Sequence, residues 1–309
     1  MRSRRHHPDQ PLRSRRQGHG DRPGVVLPGA APGRDGRAGL VSSHSVANAF
    51  EKARADGRAA LVGYLPAGFP DVAGGIEALQ AMVAAGCDVI EVGLPYSDPV
   101  MDGPTVQAAA QQALEAGFRT TDVLRTVEAV AATGTPTLVM TYWNPVERYG
   151  VERFAADLAG AGGAGLITPD LTPDFAPEWI AAADAHDLDK VFLVAPSSTE
   201  ERLAMTVAQC RGFVYATAVM GVTGARASSS ELAGPLVART KAVTDLPVGV
   251  GLGISNGDQA AEVASYADAA IVGSAFVRTL LDHPDDRAAG LRALSALTED
   301  LAEGVRRGA

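Results

Sequence analysis

From about residue 43 the chain alternates short, nearly all-apolar runs with longer stretches whose apolar residues recur at helical spacing. Short apolar runs between amphipathic segments read as parallel strands covered by helices on their outer face. Residues 43–55 read as an amphipathic lead-in helix. The first strand is A-A-L-V-G-Y-L-P (59–66), followed by a helix over 71–86 that ends on Gly86, a usual C-terminal stop. Strand two is C-D-V-I-E-V-G (87–93), with helical segments near 104–116 and 120–133. Strands three to five fall at 137–142, 165–170 and 190–196, with helices near 151–162, 175–186 and 199–209. Strands six to eight fall at 213–217, 247–251 and 269–274, with helices near 229–243 and 256–265, then a short helix and a longer one near 286–305. Eight strand–helix units in order predict an α/β fold closed as a (β/α)8 TIM barrel with an N-terminal lead-in helix. A doubly wound sheet would need fewer units, and no G-x-G-x-x-G follows the first strand.

A length of 309 residues suits one such barrel, and 46% hydrophobic residues suffice for a large core. The charge changes the picture at the N-terminus. Net charge is −9, yet residues 1–40 carry nine Arg against three acids, leaving 18 basic and 33 acidic residues in the rest. The first stretch, rich in Arg, Gly and Pro, has too little apolar surface to fold. Residues 1–42 are therefore expected to be a disordered basic extension, preferably an over-long start, and residues 43–309 the catalytic domain. A basic arm or transit peptide is the functional alternative. The acidic body argues against nucleic acid or an anionic membrane as partner. Cys87 and Cys210 form no C-x-x-C and read as buried free thiols, which fits a reducing, cytoplasmic setting. No His/Cys cluster suggests a metal, and no apolar run reaches the ~18 residues of a membrane span.

Barrel sites form at the C-terminal ends of strands. Three of these ends carry Gly-rich turns: M-G-V-T-G-A-R (220–226), G-V-G-L-G-I-S-N (249–256) and V-G-S-A-F (272–276). Gly253 and Gly273 let backbone N–H groups approach an oxyanion, and Ser274 opens a short helix whose N-terminus favours negative charge. The alternative is ordinary tight turns. Glu91 alternates with Val89 and Gly93, so all three face the barrel interior, and desolvation should raise its pKa toward a value suited to proton transfer. A structural buried Glu paired to Tyr or Arg is the alternative. Asp102 lies in a D-G-P turn, where Asp is commonly a turn former.

The run I-E-V-G-L-P-Y-S-D-P-V-M-D-G-P (90–104) resembles the signature of the tryptophan synthase α-subunit family. So do Y-A-T-A-V-M-G-V-T-G, G-L-G-I-S followed by V-G-S, G-Y-L-P-A-G-F-P-D (63–71) and P-D-L-T-P-D (169–174). The resemblance covers about residues 43–305 and implies retro-aldol cleavage of indole-3-glycerol phosphate to indole and D-glyceraldehyde 3-phosphate, in tryptophan biosynthesis. It implies Glu91 as general acid/base, Asp102 as acceptor of the indole N–H, and Tyr215 as the active-site Tyr beside Glu91. Tyr64, Met140 and Ile167 fall where the family lines the indole pocket. Thr223 and Gly224 match the loop that in the family closes over substrate. Gly224, Gly253, Gly273 and Ser274 match the phosphate cradle. The implied partner is the β subunit, in an αββα heterotetramer. It would cover a rim including Pro95, Ser97, Asp98 and Asn144, and pyridoxal phosphate would belong to it, with no cofactor in this chain. The family often has Phe where Tyr64 and Tyr96 stand, and Val219 and Met220 replace a more polar pair.

Three rivals stand beside this expectation: another phosphate-binding barrel enzyme, a stand-alone indole-releasing lyase, and a non-catalytic activator of β. A Schiff-base aldolase would need an inward Lys, but Lys190 opens strand five at the end remote from a site.

Overall fold

Strand and helix alternate as the pattern predicts. The computed structural model describes residues 44–217, 230–251 and 253–308, all within the unit Leu40–Ala309. The expected basic extension lies outside them. Helix α1 (Ala47–Ala55) precedes β1 (Ala60–Pro66), α2 (Val72–Ala85) and β2 (Val89–Gly93). Then come α3 (Pro104–Glu115), α4 (Thr120–Ala131), β3 (Thr137–Met140), α5 (Trp143–Tyr149), α6 (Val151–Gly160) and β4 (Gly165–Ile167). A 3-10 turn (Pro173–Phe175) leads to α7 (Pro177–Ala185), β5 (Asp189–Val191), β6 (Leu193–Val194) and α8 (Glu200–Val207). The chain continues with β7 (Val214–Thr217), α9 (Ser230–Lys241), β8 (Val248–Gly251), α10 (Gly257–Ala264), β9 (Ala269–Val272), α11 (Ser274–Leu281) and α12 (Arg287–Arg307).

All pairings are parallel, in the order β5-β4-β3-β2-β1-β9-β8-β7-β6. The two ends of that order, β5 and β6, are separated in sequence by Phe192 alone, so the nine segments form an eight-stranded barrel. The expected fifth strand over 190–196 is thus two short pieces, one paired with β4 and the other with β7. The break has a local cause. The Phe192 N–H goes to the Cys210 sulfur, while its carbonyl still accepts from Tyr215 N–H at 3.2 Å.

Alternation along the strands divides the core into two layers. Val62, Val89, Leu138, Ile167, Val191, Phe213 and Ile271 fill the interior. Ile90, Val92, Val139, Leu166, Phe192 and Val250 face the helices. The lead-in helix closes one end: Val46, Phe50 and Ala53 join the inner layer, and the Phe50 and Phe213 rings lie 5.3 Å apart. Asp189 holds it there. Its carboxylate is 0% exposed and accepts from Ser45 Oγ and Val46 N–H, both at 2.9 Å, and from Arg211 Nε at 3.0 Å.

Helix ends follow local chemistry. Asp71, Thr199 and Asn256 cap α2, α8 and α10 by accepting from backbone N–H groups three residues on. Gly86 ends α2 with φ +121°, a conformation other residues rarely adopt. Two expected boundaries change. Strand three stops at Met140, and α5 follows without having been predicted. Its seven residues are too few to display a period. Asp170 accepts the Trp143 N–H at 3.0 Å, and Pro145 sits harmlessly in the first turn. Strand four stops at Ile167 rather than residue 170, and Pro169 lies outside any ladder.

Candidate active site

The register puts Tyr64 of β1 beside Glu91 of β2, and Glu91 beside Leu138 of β3. One step toward the C-terminal mouth, Gly93, Met140 and Ile167 form the next inward row. Leu193 of β6 is the Cα partner of Tyr215, and both pack on the inner layer with Met140. The inward-facing residues therefore surround one mouth with two tyrosines, one carboxyl group and aliphatic walls.

Glu91 is 1% exposed, and its Oε1 has no hydrogen-bond partner among the described residues. Burial pushes its carboxyl up to about 8. The structural alternative, in which that oxygen is satisfied by a paired Tyr or Arg, does not hold here. A buried, unsatisfied carboxyl oxygen is costly, and it leaves a group that can exchange protons near neutrality.

Glycine makes room for both tyrosines. A Cβ on Gly93 would run into the Tyr64 hydroxyl, and one on Gly251 would lie 2.5 Å from the Tyr215 hydroxyl. Both phenols are driven well above their ordinary pKa. Burial is the main cause for each, followed by Asp102 and then Glu91 for Tyr64, and by Glu91 for Tyr215. Tyr64 therefore senses both carboxylates, and Tyr215 senses Glu91, as expected from its place beside that residue.

Asp102 sits just before Gly103, which caps α3. Burial raises its carboxyl, and a hydrogen bond from the Tyr142 hydroxyl opposes the rise. The same hydroxyl accepts the Met101 N–H at 2.9 Å. Asp102 thus belongs to the mouth and is more than a turn former. Gly253 has φ +73° with open space where a Cβ would point. Gly273 precedes α11, and Ser274 is its first residue. A Cβ on Gly273 would approach Tyr64 Cδ1 to 3.2 Å, so Tyr64 connects this turn to the carboxylates. Thr223 and Gly224, with Val219 and Met220, lie outside the described residues.

On the rim, Ser97 Oγ donates to Asp98 at 2.6 Å, with both residues exposed, and exposed Asn144 donates to the Tyr96 hydroxyl at 3.0 Å. Pro95, in the same loop, is buried in the isolated chain. Sequence reasoning missed Tyr142, Leu193, Val100 and Phe175. Tyr142 continues the inward parity of Leu138 and Met140, a signal that was present. Val100 and Phe175 are 70% and 74% exposed on loops at this end. Lys190 is buried and pairs with Asp184 of α7, on the helix side, so it cannot serve as an inward Schiff-base Lys. Among the described residues no His, Cys, Asp or Glu grouping could hold a metal, and no helix is long and apolar enough to cross a membrane.

Comparison with known proteins bears on this geometry. The family model described as tryptophan synthase alpha chain matches residues 50–306. The tryptophan synthase alpha chain of Acidothermus cellulolyticus is 63% identical over 263 residues, covering 85% of this chain and 97% of its own. That of Salinispora arenicola is 66% identical over 258 residues, covering 84% and 96%. A solved tryptophan synthase structure from Mycobacterium tuberculosis superposes with TM-score 0.79 at 57% identity, covering 84% of this chain and 98% of the other. A buried acid at a barrel mouth, and relatives matched over nearly their whole length, lead to one conclusion: the chain belongs to the tryptophan synthase alpha chain family.

Proposed function

We infer that the chain acts as the α subunit of tryptophan synthase, a carbon–carbon lyase that cleaves indole-3-glycerol phosphate into indole and D-glyceraldehyde 3-phosphate. The observation that carries the catalytic assignment is the unpartnered Glu91 oxygen inside the mouth. Held near neutrality, Glu91 gives a proton to indole C3 and so makes the ring nitrogen an electron sink. The hydroxyl on the adjoining side-chain carbon then loses its proton to the same carboxylate. The bond from C3 to that carbon breaks. Its electron pair returns to the ring, and the carbon becomes the aldehyde. Glu91 ends with the proton it began with, so atoms and charge balance.

Asp102 accepts the indole N–H and stabilises the positive charge that grows on that nitrogen, where preorganised charge is most effective. Tyr64, Met140 and Ile167 bound the flat ring, and Leu193 and Tyr215 extend the wall. Gly253, Gly273 and Ser274 offer main-chain N–H groups to the phosphate, with Gly224 as the further cradle residue and Thr223 on the closing loop by their match to the family's motif. The chain needs no cofactor of its own for this reaction.

The β subunit is the proposed partner, in an αββα assembly, with pyridoxal phosphate on the β side. Support comes from relatives solved as tryptophan synthase, one of them an aminoacrylate-bound form from M. tuberculosis. Two exposed apolar side chains, Val100 and Phe175, lie on the loops after β2 and β4, at the same end of the barrel as Ser97, Asp98 and Asn144. The test is incubation with indole-3-glycerol phosphate, with and without a β subunit, following indole. The wild-type chain is expected to release it, and Glu91→Gln to bind substrate without releasing it. Undiminished release by Glu91→Gln would refute the proton-transfer role.

A further inference from the structure

We propose that Arg278 is a positioning residue for Asp102: it ties α11, the helix that opens on the phosphate turn, to α3, the helix that Asp102 leads into. The inference rests on the reaction proposed above and adds residues to it. Asp102 lies near the end of the long connection from β2 to α3, residues 94–103. A loop outside the strand ladder keeps one geometry only where side chains tether it. The Gln107 side-chain amide donates to the Asp102 carbonyl at 2.6 Å, and the Gln107 N–H donates to the Gly103 carbonyl at 2.9 Å. The Asp102 backbone therefore moves with the first turn of α3. That turn is held in its turn from a distant segment: Arg278 Nη2 donates to Thr105 Oγ1 at 2.6 Å. Among the described residues the Arg278 guanidinium has no carboxylate partner, so Thr105 is what it holds.

The reaction gives this link a purpose. Ser274 begins α11, and Arg278 lies one helical turn further along the same face. The phosphate at the Ser274 N–H and the indole N–H at Asp102 belong to one molecule, so the two protein groups must keep a fixed separation. The ladder fixes part of it, because β2 and β9 both pair with β1. It does not reach Asp102. The bond from Arg278 to Thr105 closes that gap, and a charged donor makes it stronger than a neutral pair would be. A phosphate that fixes α11 thus also fixes, through Thr105 and Gln107, the backbone that presents Asp102. A small misplacement of that carboxylate slows the chemistry while leaving the phosphate contacts intact.

The experiment compares wild type with Thr105→Val, Arg278→Met, the double variant and Thr105→Ser, using the full chain. The first readout is backbone amide NMR while sn-glycerol 3-phosphate, which carries the phosphate but no indole, is titrated in. In wild type it should shift the signals of Met101, Asp102 and Gly103. Thr105→Val leaves every charge in place, so it should bind the probe within about twofold of wild type yet lose about half or more of that shift. Thr105→Ser, which keeps the hydroxyl, should restore it. The second readout is indole release. Thr105→Val and Arg278→Met should each lower kcat about fivefold with KM little changed, the pattern of an interaction serving the transition state. The double variant should lose no more than either single one, and Thr105→Val should cost nothing further in an Asp102→Asn background. A full shift in Thr105→Val, no shift in wild type, or losses that add would overturn the proposal. So would a raised KM in Arg278→Met with Thr105→Val silent, since Arg278 would then act only as a charge near the phosphate. Absence of indole from wild type would instead sink the proposed reaction. The NMR titration needs no turnover, so the two failures are distinguishable.

Discussion

Glu91 shows how a single residue can trade stability for chemistry. Its carboxyl titrates near 8 in the folded chain, against 4.5 when solvated, because burial disfavours its charge. Between those values the folded state holds a proton that the unfolded state has lost. Stability therefore falls as pH rises through that window, by on the order of a few kcal/mol in all. Glu91→Gln removes the titration and keeps the shape. Its melting temperature relative to wild type should climb from pH 5 to pH 8 and then level off. A constant difference across that range would mean that Glu91 is not desolvated in solution. An unsatisfied amide in the variant could lower both curves, but it carries no pH dependence, so the slope is the test. The inward position of Glu91 was legible in the sequence, since period two on an apolar strand leaves only two faces. Tyr142 was legible by the same parity, two residues beyond Met140, although nothing in the sequence tied its hydroxyl to the loop that carries Asp102.

At the scale of elements, the barrel depends on how closely its outer helices approach. Helices α10 and α12 approach closely, and Gly257 N–H donates to the Asp300 side-chain carboxylate at 2.6 Å. A Cβ on Gly304 would collide with the Gly257 carbonyl and come within 2.7 Å of its Cα. Main-chain atoms cannot rotate aside as a side chain can, so Gly304→Ala must part the helices. A loss of about 1–3 kcal/mol is expected, read as a melting temperature lower by several degrees. Gly160→Ala is the control. It sits in α6 with nothing near an added methyl, and it should be neutral or slightly stabilising. Equal effects of the two substitutions would show that the α10–α12 contact is not constrained in solution. Sequence periodicity found these helices but gave no sign of the contact, since a glycine inside a helix looks like a mere weakness until its neighbour is known. The same limit explains α5 and the split fifth strand. Both turn on contacts that no local pattern shows, from the Trp143 N–H to Asp170, 27 residues on, and from the Phe192 N–H to Cys210, 18 residues on.

For the whole molecule, the two ends of the barrel serve different purposes. One end is sealed by α1 and the buried Asp189, which accepts from Ser45, Val46 and Arg211 and leaves nothing for a ligand. The other gathers the acid, the phenols and the glycine turns, and loops at that end carry the exposed apolar side chains Val100 and Phe175. Phe175 is the largest of these, in a turn beside the Asp174–Arg202 ion pair. If the β subunit covers this end, Phe175 loses its exposure on assembly, and hydrophobic burial contributes to association. Phe175→Asp replaces that gain with a desolvated charge. It should raise the Kd for the β subunit about tenfold or more, measured by calorimetric titration, while the melting temperature of the isolated chain changes little because the side chain is 74% exposed there. Val100→Asp, on the loop that carries Asp102, should weaken association in the same sense. If neither substitution shifts the Kd, the partner docks elsewhere, and these apolar side chains need another explanation.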